Sequence, residues 1–228
     1  MRRTIFLFAL WLAAPHMARP AMSSPVRASM ALPAAQSRVV DRIVARIEDD
    51  IILESQVREL AAFQKLVEGQ AESDDQLLSE LIEQWMVQTE ASASHFPEPA
   101  KSEVDRELAR LAERFASPEA YSARLRDLGL SAGQVRDMID RQIYVERYLD
   151  YKFRPSVQID PPAIDAYYKS DLIPELQKKK QAVPPEDDVR EQIRELLVQK
   201  QISELTAKWL DETRSRLKIE RVPAEAGQ

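Results

Sequence analysis

The alternation of apolar and polar residues near position 45 predicts a β-hairpin followed by a helix. In the first strand Ile43, Ala45 and Ile47 alternate with Arg42, Val44, Arg46 and Glu48. The Asp49-Asp50 pair tolerates turn geometry, and Ile51-Ile52-Leu53 resumes the apolar run. Ser55 is expected to cap a helix that carries Val57, Leu60, Ala61 and Phe63. The region from Val39 to Leu60 is therefore predicted as strand, turn, strand and helix start.

Apolar residues three and four positions apart predict amphipathic helices through most of the remaining chain, which has only four glycines. Ser73 with Gln76 and Ser131 with Gln134 are capping-box patterns, and each marks a helix start. The apolar positions of the predicted helices are, in chain order, Leu77, Leu78, Leu81, Ile82, Trp85 and Met86; Val104, Leu108, Leu111 and Phe115; Tyr121, Leu125 and Leu128; Val135, Met138, Ile139, Ile143 and Tyr144; Ile164, Tyr167, Tyr168 and Leu172; and Val189, Ile193, Leu196, Leu197, Ile202, Leu205, Trp209 and Leu210.

The helix boundaries that remain follow from proline and glycine. Ser117-Pro118 predicts a start and Gly129 a stop. Arg154-Pro155 ends the long fifth helix, and Asp160-Pro161 caps the sixth. The segment Ala182–Pro185 is the clearest predicted hinge.

An alternating segment near the end of the chain, Leu217–Val222, predicts one more strand. A lone strand leaves its backbone groups without hydrogen-bond partners, and the amino-terminal hairpin is the only other strand that the pattern predicts. We therefore expect both ends of the chain to meet in one small sheet. The expected fold class is mainly α, with several helices and a small antiparallel sheet formed by the amino-terminal hairpin and the carboxy-terminal strand.

Residues 1–31 have the pattern of a secretory signal peptide, because two arginines precede an apolar run from Ile5 to Ala14 that is too short to span a bilayer. Small residues favour cleavage after Ala28 or after Ala31, and the sequence does not choose between them. Removal of the four arginines of this segment leaves 28 basic against 38 acidic residues, which changes the net charge from −6 to −10. Such an acidic chain argues against nucleic-acid binding. The absence of cysteine is compatible with an oxidising envelope compartment.

Candidate catalytic and metal-binding residues are few. His95, in a Ser-His-Phe-Pro linker, is the one histidine after the predicted signal, and the sequence gives it no orienting partner. The acidic run Glu186-Asp187-Asp188 is interpreted as the first turn of a helix, and Lys178-Lys179-Lys180 as a solvated helix end. No phosphate-binding glycine loop, Gly-x-Ser-x-Gly or His-Glu-x-x-His motif is present. We therefore predict no catalytic residue, no metal and no cofactor.

Three segments of the chain resemble the SurA family of periplasmic chaperones and foldases. DRIVARIEDDIILESQVREL is similar to the opening of the mature family domain, and VQIDPPAIDAYYKSD to the segment before the first parvulin isomerase domain. PPEDDVREQIRELLVQKQISELTAKWLDETRSRLKIERV is similar to the segment after the last one. Only Leu172 to Pro184 lies between these matches, whereas a parvulin domain needs on the order of a hundred residues.

The resemblance implies a single domain of the SurA and trigger-factor type over residues 38–222, without the isomerase. Residues 38–155 would hold the hairpin and first helices, 156–183 a connecting helix and hinge, and 184–222 the last helix and strand. It implies a non-enzymatic periplasmic chaperone that binds non-native polypeptides through an apolar groove, with outer-membrane proteins as clients and no stable membrane insertion. Because no ATP site is visible, binding would be passive.

Aromatic and methionine side chains are the candidate peptide-binding residues, because such side chains accept many extended segments. Tyrosines at spacings of four and three form one stripe on the fifth helix, and two adjacent tyrosines on the sixth cannot both face one core. The candidates are Trp85, Met86, Met138, Tyr144, Tyr148, Tyr151, Tyr167 and Tyr168. A divergent peptidyl-prolyl isomerase, a subunit dedicated to one envelope partner and a homodimer stay open as alternatives.

Overall fold

The fold is seen in a computed structural model that describes residues 41–223. The predicted signal peptide, both candidate cleavage sites and residues 224–228 lie outside the described residues. The described part is mainly helical with a small antiparallel sheet, so the predicted fold class is confirmed.

Three strands form the sheet in the order β2-β1-β3, with both neighbouring pairs antiparallel. The strands are β1 (Ile43–Ile47), β2 (Asp50–Leu53) and β3 (Ile219–Arg221). The prediction that the two ends of the domain meet in one sheet is confirmed. The hairpin turn lies one residue earlier than predicted, at Glu48-Asp49, because Ile47 pairs with Asp50. The last strand is also shorter than the predicted Leu217–Val222.

The first helix, α1 (Glu54–Val67), begins before Ser55, so the prediction that Ser55 caps it is wrong. The side chain of Gln56 accepts the N–H of Leu53 at 2.8 Å. The carboxylate of Asp41 accepts the backbone N–H of Ser55 at 3.1 Å and also its hydroxyl. These hydrogen bonds hold the pKa of Asp41 below its usual value. Asp41, fourteen residues before Ser55, therefore caps the start of α1 in place of a local side chain.

Helices fill the chain between the hairpin and β3. They are α2 (Asp74–Ala93), α3 (Lys101–Glu113), α4 (Pro118–Leu128), α5 (Ala132–Phe153), α6 (Pro161–Tyr167), α7 (Ile173–Lys178) and α8 (Glu186–Arg214). A 3-10 turn, Arg154–Ser156, follows α5, and a π-helical turn, Tyr168–Leu172, joins α6 to α7.

Apart from the Ser55 cap, the helix boundaries predicted from local signals are confirmed. The side chain of Gln76 accepts the N–H of Ser73, and that of Gln134 accepts the N–H of Ser131, at 3.2 and 2.9 Å. Gly129 ends α4 at φ +69°, a left-handed conformation that only glycine adopts without steric cost. These signals work because each satisfies backbone groups within a few residues of the helix end.

One hydrophobic core joins the sheet to helices α1 to α5 and to the end of α8. Ala45 and Ile47 of β1 and Leu77 of α2 are completely buried, and Leu210 brings the last turns of α8 into the same core. Arg214 pairs with Glu83 of α2 at 3.2 Å, which fixes the end of α8 just before β3. Residues from both ends of the domain therefore pack together in one unit, which we call the body and which consists of the sheet, helices α1 to α5 and the end of α8.

Candidate functional site

Four of the eight predicted peptide-binding residues are buried in the body. Met86, Met138, Tyr144 and Tyr148 are all less than 9% exposed. The hydroxyl of Tyr144 donates to the carbonyl of Phe96 at 3.3 Å, and the ring of Tyr148 meets the ring of Phe96 edge-on at 5.4 Å. In this conformation these side chains fill the core and present little surface to a bound peptide.

Two further predicted residues of the body remain accessible. Tyr151 is 65% exposed although its ring lies 5.3 Å from that of Phe96. Trp85 is half-buried, and its indole N–H donates to the carboxylate of Asp50 on β2 at 2.9 Å. These two side chains lie on separate elements, and no contact joins them.

The end of α5 is attached to α8 by aromatic and charged contacts. The rings of Phe153 and Trp209 are 6.1 Å apart, and the ammonium of Lys152 lies 4.9 Å above the Trp209 ring. Arg154 forms two hydrogen bonds to Glu195, at 2.6 and 3.0 Å, and also contacts Asp150. This junction between the end of α5 and α8 is called the base.

We expect Arg154→Ala to lower the free energy of unfolding by about 1 kcal/mol, because the pair it removes is bidentate but half exposed. Arg154 first, and then Gln199, lowers the pKa of Glu195 to about 2. Since this pKa lies below the usual 4.5, the stabilisation is present above pH 4.5 and is lost as the pH falls toward 2. Urea denaturation at pH 6 and pH 3 measures both effects.

Arg194→Ala is the matched control, because Arg194 pairs with Glu191 three residues earlier in the same helix. Equal losses in the two variants at pH 6 would contradict the assignment of Arg154 as one of the contacts that hold α8 to the end of α5.

Residues 161–194 form a helical hairpin that we call the arm. It consists of α6, the π turn, α7, the connection and the first part of α8. Apart from the adjoining π turn, the element that α6 contacts most is α8. Helix α7 packs chiefly against the π turn. Ile164 of α6 and Ile193 of α8 are the buried apolar side chains between its two sides. The arm is therefore a two-helix layer that extends beyond the body.

The π turn within the arm is explained by Pro174. An α-helix through this position would lose the N–H of residue 174 and would bring the proline ring against the carbonyl of Ser170. The N–H of Ile173 instead donates to the carbonyl of Tyr168, five residues earlier. The extra residue in this turn rotates α7 relative to α6. The single sixth helix of the prediction is thus divided into α6 and α7.

Polar contacts hold the two sides of the arm together. The hydroxyl of Tyr168 donates to the carbonyl of Pro184 at 2.7 Å, in the segment predicted as the hinge. Arg190 pairs with Asp165 at 3.0 Å and with Glu186 at 2.6 Å. A hydrogen bond with the Glu186 carboxyl, and then the hydrogen bond from Arg190, hold the pKa of Asp165 below its usual value. In this conformation the hinge segment is therefore bonded to the π turn, and the start of α8 to α6.

Most apolar side chains of the arm are neither buried nor fully exposed. Half-buried apolar residues of the arm are Tyr167, Tyr168, Leu172, Ile173, Leu176 and Val189, and Val183 is 38% exposed. Leu196 and Leu197 continue this half-buried set at the base. The arm thus brings together two predicted residues, Tyr167 and Tyr168, with aliphatic residues that the emphasis on aromatic side chains missed. Their helical spacing around Pro174 is the signal that could have identified them.

His95 and the acidic run at residues 186–188 both lie at helix ends. His95 is exposed and ends α2 at φ +53°, where its N–H donates to the carbonyl of Ser92. Glu186, Asp187 and Asp188 form the acidic first turn of α8. Within residues 41–223, no group of three or more His, Asp or Glu side chains could hold a metal ion. In the same range no helix is long and apolar enough to cross a membrane.

Comparison with known proteins adds no relative to this picture. No protein-family model matches the chain, and a search of curated proteins finds no match. The resemblance to the SurA family therefore stays a prediction that rests on the three quoted segments.

Proposed function

We propose that this chain is an ATP-independent chaperone of the periplasm that holds non-native polypeptides on the arm, with unfolded outer-membrane proteins as its clients. The observation that supports this most directly is the incomplete burial of the apolar side chains of the arm. A two-helix layer can bury one line of side chains between its helices, here Ile164 and Ile193, but not the lines on either side. A bound apolar segment would supply the missing cover.

The composition of this surface suits clients without a common sequence. Leucine and isoleucine side chains make contacts that depend on area and little on direction, and tyrosine adds a polar group to an apolar ring. The hydroxyl of Tyr168 donates to the carbonyl of Pro184, which holds its ring in place four residues before Leu172. Outer-membrane strands, which alternate apolar and polar residues, would place every second side chain on such a surface.

The cellular part of the proposal is supported by the predicted signal peptide and by the SurA resemblance. The absence of a phosphate-binding motif in the sequence favours passive holding, in which release follows from mass action as the client folds elsewhere. Client release would then depend on concentration and on competing partners.

The test measures aggregation of a chemically unfolded outer-membrane barrel diluted into buffer with the signal-free protein at matched concentration and without ATP. We expect suppression by the wild-type chain, and a loss of several-fold in the double variant Leu172→Ser/Leu176→Ser. These two residues are four positions apart on one face, are half-buried, and belong to the arm.

Ile51→Ser is the matched control, because Ile51 is an apolar side chain of the sheet that is 45% exposed and lies outside the arm. Tyr151→Ser tests the exposed tyrosine of α5 in the same assay. If the folded wild-type chain leaves aggregation unchanged, the chaperone proposal fails; if the arm double variant and Ile51→Ser lose activity equally, the arm is not the binding surface. Turnover of a short proline peptide would instead favour the isomerase alternative.

A further inference from the structure

The outer edge of β3 carries backbone groups that point away from the sheet. The N–H of Val222 donates to the carbonyl of Val44 at 2.9 Å, and the N–H of Glu48 donates to the carbonyl of Lys218 at 3.0 Å. With Arg46 opposite Glu220, residues 218, 220 and 222 therefore bond to β1. The N–H and C=O groups of Ile219 and Arg221 face the opposite direction. Among the described residues no strand pairs with this side of β3.

The other edge of the sheet is less open. Along β2 the N–H of Leu53 is already bonded to the side chain of Gln56, and α1 begins at the next residue. This leaves Ile51 as the residue of β2 whose backbone groups face outward. An added strand therefore finds a longer open edge at β3.

The charges along β3 are arranged so that the strand is complementary to itself. Lys218 and Glu220 lie on one face of the strand, with the ammonium nitrogen and a carboxylate oxygen 3.4 Å apart, and their side chains are 74% and 56% exposed. If a second β3 pairs antiparallel with Ile219 opposite Ile219, Lys218 of each copy lies opposite Glu220 of the other. The register centred on Glu220 would place two carboxylates opposite each other, which is unfavourable.

We propose that β3 pairs with β3 of a second copy of this chain about a two-fold axis through Ile219, so that two sheets become one of six strands. The N–H and C=O groups of the two Ile219 residues bond to each other, and the N–H of Arg221 in each copy donates to the carbonyl of Leu217 in the other. Such an interface is isologous, as closed dimers require. Because it is small, the dimer dissociates on dilution. This proposal does not depend on the chaperone function.

The test is sedimentation of the signal-free protein over a range of concentrations. We expect wild-type chains to associate reversibly to dimers, and Lys218→Glu to weaken association at least about tenfold because acids then face acids across the axis. The charge exchange Lys218→Glu/Glu220→Lys keeps the net charge and restores opposite pairs, so it is expected to recover dimerisation. Wild-type association is expected to weaken as salt is added.

A second variant tests the backbone hydrogen bonds directly. Ile219→Pro removes an N–H that faces away from β1 and so spares the β1–β3 ladder, and Ile219→Val is its control for the loss of side-chain contacts. Circular dichroism reports whether the proline variant is folded. A wild-type chain that is monomeric at every concentration overturns the proposal. So does a dimer that is insensitive to Lys218→Glu, or a charge-exchanged variant that stays monomeric.

Discussion

Glu80→Gln is expected to raise the free energy of unfolding by about 3 kcal/mol at pH 8 and to change it little at pH 5. Burial, followed by the nearby charge of Glu72, raises the pKa of Glu80 from its usual 4.5 to about 7. Since one pKa unit corresponds to about 1.4 kcal/mol, keeping Glu80 ionised in the folded chain costs about 3 kcal/mol. The glutamine variant avoids this cost.

The sign of this effect follows from the higher affinity of the folded chain for the proton. A folded-state pKa above the unfolded value gives a stabilisation that is fully present below pH 4.5 and is lost as the pH rises through about 7. Wild-type stability should therefore fall between pH 5 and pH 8, and the variant should show a flatter profile. Urea denaturation followed at these two pH values measures the difference.

The surroundings of Glu80 explain why its ionised form is disfavoured. Gln64 of α1 and Gln84 of α2 each donate to its carboxylate at 3.0 Å. Gln64 is itself 5% exposed and accepts the N–H of Glu72 at 2.9 Å, so it fixes the connection between the two helices. The nearby acids Glu72, Glu68 and Glu83 raise the pKa of Glu80 further. Burial and these acidic neighbours, of which Glu72 has the largest effect, together outweigh the hydrogen bond from Gln84 that favours the ionised form.

Two variants serve as controls for this prediction. Glu72→Gln removes one of the repelling charges and should give a smaller gain at pH 8, whereas Glu113→Gln removes an exposed carboxylate at the end of α3 and should give none. The prediction is wrong if Glu80→Gln and the wild-type chain lose the same stability between pH 5 and pH 8.

Ile164→Ala is expected to unfold the arm locally while the body stays folded. Its side chain is completely buried between α6 and α8, and such a truncation costs about 2 to 5 kcal/mol. Because the arm buries few side chains, that loss is comparable to all the stability it can gain from its own packing. Amide hydrogen exchange in α6 and α7 should therefore accelerate to nearly the rate of an unfolded chain.

The body provides an internal reference for the same experiment. Both tryptophans of the signal-free chain, Trp85 and Trp209, lie in it, so their fluorescence reports the unfolding of the body alone. The midpoint of that transition should be nearly unchanged in Ile164→Ala and should fall markedly in Ile82→Ala, whose side chain is 1% exposed in the main core. Equal shifts of the fluorescence midpoint in both variants would show that arm and body unfold together.

Separate stability of the arm bears on the proposed holding of clients. A layer that opens at lower cost than the body can adjust to segments of different size without loss of the fold. If the arm instead unfolds only with the body, a rigid surface has to accept all clients, and the differences between clients in the aggregation assay should become larger.

The amino-acid sequence by itself determined the features that depend on neighbours within a few residues. Ser73, Ser131 and Gly129 mark helix ends because they satisfy backbone groups or supply a left-handed conformation locally. The alternating segments at both ends of the domain required partners, and this requirement was enough to predict that they share a sheet. The fold class follows from these local rules.

Only the tertiary structure decided which residues of an apolar stripe are covered. Tyr144, Tyr148 and Tyr151 share a helix face, yet the first two are buried and the third is 65% exposed. Helical spacing gives the direction of a side chain but not how far the neighbouring helices extend beside it. For the same reason the sequence did not reveal that α6 and α7 pack on one side only, which leaves Leu172, Ile173 and Leu176 half-buried. Burial depends on contacts between distant segments, and those are fixed only when the whole chain has folded.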